Sequence, residues 1–177
     1  MSTPQQPPDK LRFRAAVEAR DVAALADAFT PDAVLRSPIT TRLTFQGREQ
    51  IAAVFEVILE AFEDLHYTAE VRQDNLAFLV AAARVDGEEL EIVDQMRLDA
   101  DGRITELTVF FRPLPATAAA LRRLGAGLGR RKGPRRAALI SALTAPLVFM
   151  ARTGDRAGVG LVKPTLPPAP GQPAGGP

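Results

Sequence analysis

The chain has 177 residues, room for one domain of ordinary size with extensions, and it contains no cysteine and a single histidine, His66. Disulfides, thiolate metal sites and multi-histidine metal centres are therefore excluded, and any serine–histidine–aspartate triad must use His66. The net charge of +1 conceals a split: residues 1–112 carry 12 Lys and Arg against 20 Asp and Glu, net −8, and residues 113–177 carry 10 against the single acid Asp155, net +9.

Residues 1–8 hold three prolines and resemble neither a secretory signal nor a helix, which predicts a disordered lead-in and a cytoplasmic protein. From Asp9, a candidate N-cap, Leu11, Phe13 and Val17 recur at helical spacing. Asp21 caps a second short helix with Val22, Leu25, Ala26 and Phe29 on one face, which Thr30-Pro31-Asp32 ends. Residues 33–38 and 43–47 read as short strands closed by Pro38 and Gly47. Residues 48–62 read as a helix, because Ile51, Val54, Phe55, Ile58, Leu59 and Phe62 form an i, i+3, i+4, i+7 stripe.

The period then changes to two. Over 66–73, Tyr67, Ala69 and Val71 share one face. Residues 76–85 are apolar on both faces, as in a central strand. Asp86-Gly87 and Asp101-Gly102 are hairpin turns separating strands at 89–99 and 103–112. The predicted class is α+β: a curved antiparallel sheet, residues 9–112, with the N-terminal helices on its concave face. Pro113 ends the sheet. A basic helical extension follows over 113–151: a helix at 114–128, a basic loop at 129–136, and an apolar helix at 137–151 carrying Pro146. This apolar stretch of 15 residues falls short of the ~20 that span a bilayer. Residues 152–177 read as a Pro/Gly-rich disordered tail.

Three motifs carry a resemblance. They are Phe29-Thr30-Pro31-Asp32-Ala33-Val34, Phe45-Gln46-Gly47-Arg48-Glu49-Gln50-Ile51, and Asp94-Gln95-Met96-Arg97-Leu98-Asp99-Ala100-Asp101-Gly102-Arg103-Ile104. In this order, over residues 9–112, the chain resembles the SnoaL-like branch of the nuclear transport factor 2-like superfamily. That resemblance implies a cone with one mostly apolar pocket. It does not fix an activity, because the superfamily holds isomerases, cyclases, hydrolases and catalytically silent partners.

Asp94 is the anomaly. It shares a strand face with Leu90, Ile92, Met96 and Leu98, and a carboxylate there must be paired, hydrogen-bonded or kept neutral. The plain reading is a structural acceptor, paired for example with Arg36 across the cone; the functional reading is an acid. By resemblance, Asp94 stands where ketosteroid isomerases carry the protonated aspartic acid of their oxyanion hole. The other two isomerase positions do not match: Ser37-Pro38 replaces the Asp-Pro step of the base, and Phe13 replaces the tyrosine of the first helix. Serine is no carboxylate base and phenylalanine donates no hydrogen bond.

The candidate catalytic set is therefore Asp94 with Tyr67, Ser37 and Arg36 as assistants. The expected pocket wall comprises Phe13, Val17, Phe29, Phe55 and Leu59 from the helical half. Phe78, Ile92, Met96, Leu107, Val109 and Phe111 complete it from the strands. His66 reads as solvated. Phe110 falls on the outer sheet face, which suggests a homodimer formed there. The extension is expected to dock on its own acidic domain, ahead of a membrane surface and then nucleic acid, for which no motif is present. A docked helix would also cover the pocket mouth. The expected function is a small hydrophobic-ligand pocket, with cofactor-independent acid/base chemistry as an isomerase, cyclase or hydrolase. The alternative is a non-catalytic binding or dimerisation module. No metal- or nucleotide-binding pattern is present.

Overall fold

The computed structural model describes residues 10–162; the expected lead-in, Asp9 and the stretch 163–177 lie outside the described residues. Helices α1 (Arg12–Glu18), α2 (Val22–Asp27) and α3 (Arg48–Ala61) lie on the concave face of a six-stranded sheet. Strands β1 (Phe29–Arg36), β2 (Thr44–Gln46), β3 (Glu63–Gln73), β4 (Leu76–Val85), β5 (Glu88–Leu98) and β6 (Ile104–Arg112) are ordered β2-β1-β6-β5-β4-β3. The last four form an antiparallel meander, and β1 runs parallel to β6. The α+β class is as the alternation of periods predicts.

Local chemistry explains the element ends. Asp21 caps α2, its carboxylate accepting from the Ala23 and Ala24 amides at 3.0 Å each. The first turn of α1 begins at Leu11 instead, whose amide donates to the Glu70 carboxylate of β3 at 3.3 Å. Asp86 and Gly87 both take positive φ (51° and 80°), the geometry a two-residue hairpin of this twist requires.

Two irregularities correct the sequence reading. β1 starts at Phe29, four residues before the expected strand, and its register against β6 shifts between Phe29 and Val34. That bulge takes up Pro31, which has no amide to give a ladder. β3 also slips between Tyr67 and Ala69. The extra residue turns the strand over, so Tyr67 is 7% exposed and Val71, expected on the same face, is 62% exposed.

The extension is a helical hairpin of α4 (Leu114–Arg130) and α5 (Pro134–Val162). Arg122 and Arg123 both reach the Asp86 carboxylate, at 2.6 and 2.5 Å. Arg152 donates to the Asp86 carbonyl at 3.0 Å and pairs with Glu88 at 2.7 Å, and Arg131 pairs with Glu56. Against the penalty of burial, hydrogen bonds from Arg122 and Arg123 hold the Asp86 carboxyl below its ordinary value. The basic extension thus docks on its own acidic domain, as the charge split suggests.

The expected basic loop shrinks to a turn at 131–133, and α5 does not stop at Ala151. Residues 152–162 are helical rather than a disordered tail, because Arg152 anchors the helix to the β4–β5 hairpin instead of ending it. The 15-residue count is corrected accordingly. A 22-residue stretch, 134–155, is long and apolar enough to cross a membrane.

Candidate functional site

Asp94 sits on β5 opposite Leu79 of β4 and Val109 of β6, all facing the helices. It is 4% exposed, and the only other buried polar side chain is Thr30 among the described residues. Its side-chain partner is Tyr67, whose hydroxyl donates to Oδ2 at 3.3 Å. Burial pushes the Asp94 carboxyl up to about 7, with the Tyr67 hydrogen bond opposing that rise only in part. Burial first, and then the neighbouring Asp94 charge, push the Tyr67 phenol well above its ordinary value. Tyr67 is therefore a permanent donor near neutral pH, and Asp94 is poised between acid and base.

Tyr67 is held from three sides. Phe13 meets it edge-on at 6.2 Å between centroids, and Phe13 in turn packs edge-on against Phe29 (5.8 Å) and Phe55 (5.3 Å). Arg14 lies over the phenol ring, 5.8 Å from its centroid, and donates to the Tyr67 carbonyl at 3.2 Å. Sequence reasoning missed Arg14; its place one residue after Phe13 on an amphipathic helix was the available signal. A phenol thus reaches Asp94 from β3, although the first helix offers only Phe13.

The pair opens on a hollow of about 30 Å³ lined by Phe55, Ile58, Phe62, Leu65, Tyr67, Ala81, Ile92, Asp94, Val109 and Phe111. Ile58, Val109 and Phe111 are shared with a second, apolar hollow of about 120 Å³ nearer the cone mouth, which Ser37, Pro38, Ile39, Leu43 and Phe45 border. Leu121, Leu124, Gly125 and Leu128 of α4 roof it. No Asp, Glu, His or Lys other than Asp94 lines either hollow.

Of the expected wall, Phe55, Ile92, Val109 and Phe111 border the hollows. Phe13, Val17, Phe29, Leu59, Met96 and Leu107 instead fill the solid core, each 5% exposed or less. Phe78 is a correction: Ala77 and Leu79 are fully buried, so Phe78 points to the outer face, beside Val71 and Gln95. Arg36 is a second correction. Its neighbour Leu35 takes the core side of β1, so Arg36 projects outward and pairs with Glu106 at 2.8 Å, not with Asp94. Ser37 lines the upper hollow, where its hydroxyl accepts from the Ile39 amide at 3.2 Å. His66 is exposed, on a shallow charged groove between Asp64, Arg84, Glu91 and Arg112. Among the described residues, no cluster of three or more His, Cys, Asp or Glu side chains is placed to hold a metal ion.

The model of the SnoaL-like domain matches residues 11–107. The chain belongs to the SnoaL-like family. A steroid delta-isomerase from Pseudomonas aeruginosa is similar in structure, with a TM-score of 0.58 and 31% identity over 68% of this chain and 85% of the isomerase. A protein from Silicibacter pomeroyi with a cystatin-like fold matches with a TM-score of 0.64 and 22% identity, over 71% of this chain and 91% of its own. One from Catenulispora acidiphila with a ketosteroid isomerase-like fold matches at 0.51 and 19%, over 68% and 95%. No curated protein matches the sequence significantly.

Proposed function

We propose that the protein binds a small apolar carbonyl compound in the hollow and moves a proton on it. The observation that carries this reading is the buried Tyr67–Asp94 pair at the floor of an otherwise apolar cavity. Tyr67 donates to the ligand oxygen. Asp94, as carboxylate, takes a proton from the carbon beside the carbonyl. The C–H electron pair becomes the C=C bond of an enolate whose oxygen Tyr67 stabilises, and Asp94 then returns the proton two carbons further along. One carboxylate near neutral pKa suffices for such a shift, so the missing base at Ser37 does not forbid it. The 31% identity to a steroid delta-isomerase supports the isomerase class over hydrolase or cyclase.

The hollows decide the ligand's size. At about 120 and 30 Å³ they lie below the roughly 300 Å³ at which drug-sized pockets begin. With α4 seated, the occupant is a short enone, not a steroid. The test is isomerisation of a small β,γ-unsaturated ketone, followed by the absorbance of its conjugated product. The wild type turns over, Asp94→Asn loses at least about a hundredfold, and Tyr67→Phe loses less. A second reading, a non-catalytic binding module, is favoured by Ser37, which leaves the mouth without a carboxylate. It wins if the ketone shifts the Tyr67 and Asp94 resonances while wild type and Asp94→Asn both leave it unconverted.

We also propose a homodimer through the outer sheet face. Phe110 is 51% exposed there and Val71 62%, with Phe78, Val80 and Val93 half-buried on the same side. A chain carrying Phe110→Lys sediments as a monomer where the wild type sediments as a dimer; identical sedimentation of the two removes this face as the interface.

A further inference from the structure

We infer that the outward face of α5 rests on an anionic lipid bilayer. Every exposed residue between 137 and 151 is apolar. Leu139, Leu143 and Met150 are 59%, 71% and 67% exposed, and with Leu147 they recur at i, i+4, i+8 and i+11, one stripe down the helix. The opposite side of the helix is already used: Val148 and Ala151 are buried against Ala118 of α4. Apolar surface so continuous is uncommon on a free protein and marks a contact.

Charge names the partner. Five cations, Arg130, Arg131, Lys132, Arg135 and Arg136, crowd the start of the same helix, and all are exposed. Arg131 pairs with Glu56; the other four make no ion pair with any described residue. A cationic cluster beside an apolar stripe, with no acid on the stripe, matches acidic headgroups above acyl chains. Although 134–155 is long enough to cross, α5 is tied along its length to α4 and through Arg152 to the β4–β5 hairpin. Crossing would strip it from both, so the helix lies in the interface plane. That orientation places α5 between the lipid and α4, the helix that roofs the apolar hollow.

The sequence has no tryptophan, so Leu143→Trp in the full chain supplies a single reporter on the stripe. Mixed with vesicles of equimolar phosphatidylcholine and phosphatidylglycerol, its emission shifts to the blue and the protein floats with the lipid. On phosphatidylcholine alone, or in high salt, partitioning falls by about tenfold or more. Leu143→Asp with Leu147→Asp lowers flotation of the otherwise native chain by at least about tenfold, and an unchanged circular dichroism spectrum verifies its fold. Absent flotation with unshifted emission overturns the inference. So does equal flotation of the double variant. A blue shift without lipid that tracks protein concentration overturns it too, and assigns the stripe to a second copy of the chain.

Discussion

The stability of the wild type falls relative to that of Asp94→Asn by about 4 kcal/mol as the pH rises from about 4 to about 8. Unfolded, Asp94 loses its proton near the ordinary value of 3.8; folded, it keeps it to about 7. Below the lower value both states are protonated and burial carries no charge penalty. Between the two values the folded state holds the extra proton, so stability declines with rising pH. Above about 7 both states are ionised and the full penalty of a desolvated carboxylate is present. Asparagine keeps the shape and the Tyr67 contact but cannot titrate. Urea unfolding of both proteins at a series of pH values measures the difference. Parallel curves would mean that water or a cation already reaches Asp94, and the proton-transfer reading would lose its group.

The second large effect is expected at the roof. A Cβ built on Gly127 of α4 lies 2.3 Å from Cγ1 of Val57, which is 2% exposed on α3. Valine is stiff at χ1, and both helices are packed, so neither side yields cheaply. Gly127→Ala gains about 1 kcal/mol of helix propensity and forfeits about 1–3 kcal/mol to overpacking, with backbone displacement at this distance at the upper end. The net result is a protein less stable by about 1–2 kcal/mol whose α4 stands away from α3. Adding Val57→Ala restores most of the loss, a non-additivity that identifies the contact. Gly154→Ala is the control: nothing lies within 4 Å of its Cβ, and it stabilises α5 by up to about 1 kcal/mol. Equal effects of the two alanines would remove steric contact as the cause.

Much of the cone is legible in sequence because its signals are local. The Ile51–Phe62 stripe gives α3, Asp86-Gly87 gives a hairpin whose two residues do take positive φ, and period two on β5 turns Asp94 inward with Ile92 and Met96. What fails is what local pattern cannot encode. β4 is apolar on both faces, so periodicity could not say that Ala77 and Leu79 face the core and Phe78 does not. The bulge after Tyr67 flips Val71 and Glu70 without any mark in composition. Arg36 lay one residue from Leu35, and its outward direction depends on which of the pair β6 and α3 claim. The end of α5 was hidden because Arg152 and the glycines after it resemble a tail, until the distant Asp86 carbonyl supplies a partner.

On the function proposed above, the roof over the hollow sets a bound on affinity as well as on size. A ligand larger than the closed space binds only the fraction of molecules in which α4 has lifted, so its apparent dissociation constant is the intrinsic one divided by that fraction. Linkage then runs both ways. Any change that tightens α4 on α3 weakens large ligands while leaving small ones untouched, and every large ligand that binds loosens the grip of Arg122 and Arg123 on Asp86. Ligand volume and the stability of a helix that never touches Asp94 become two readings of one equilibrium.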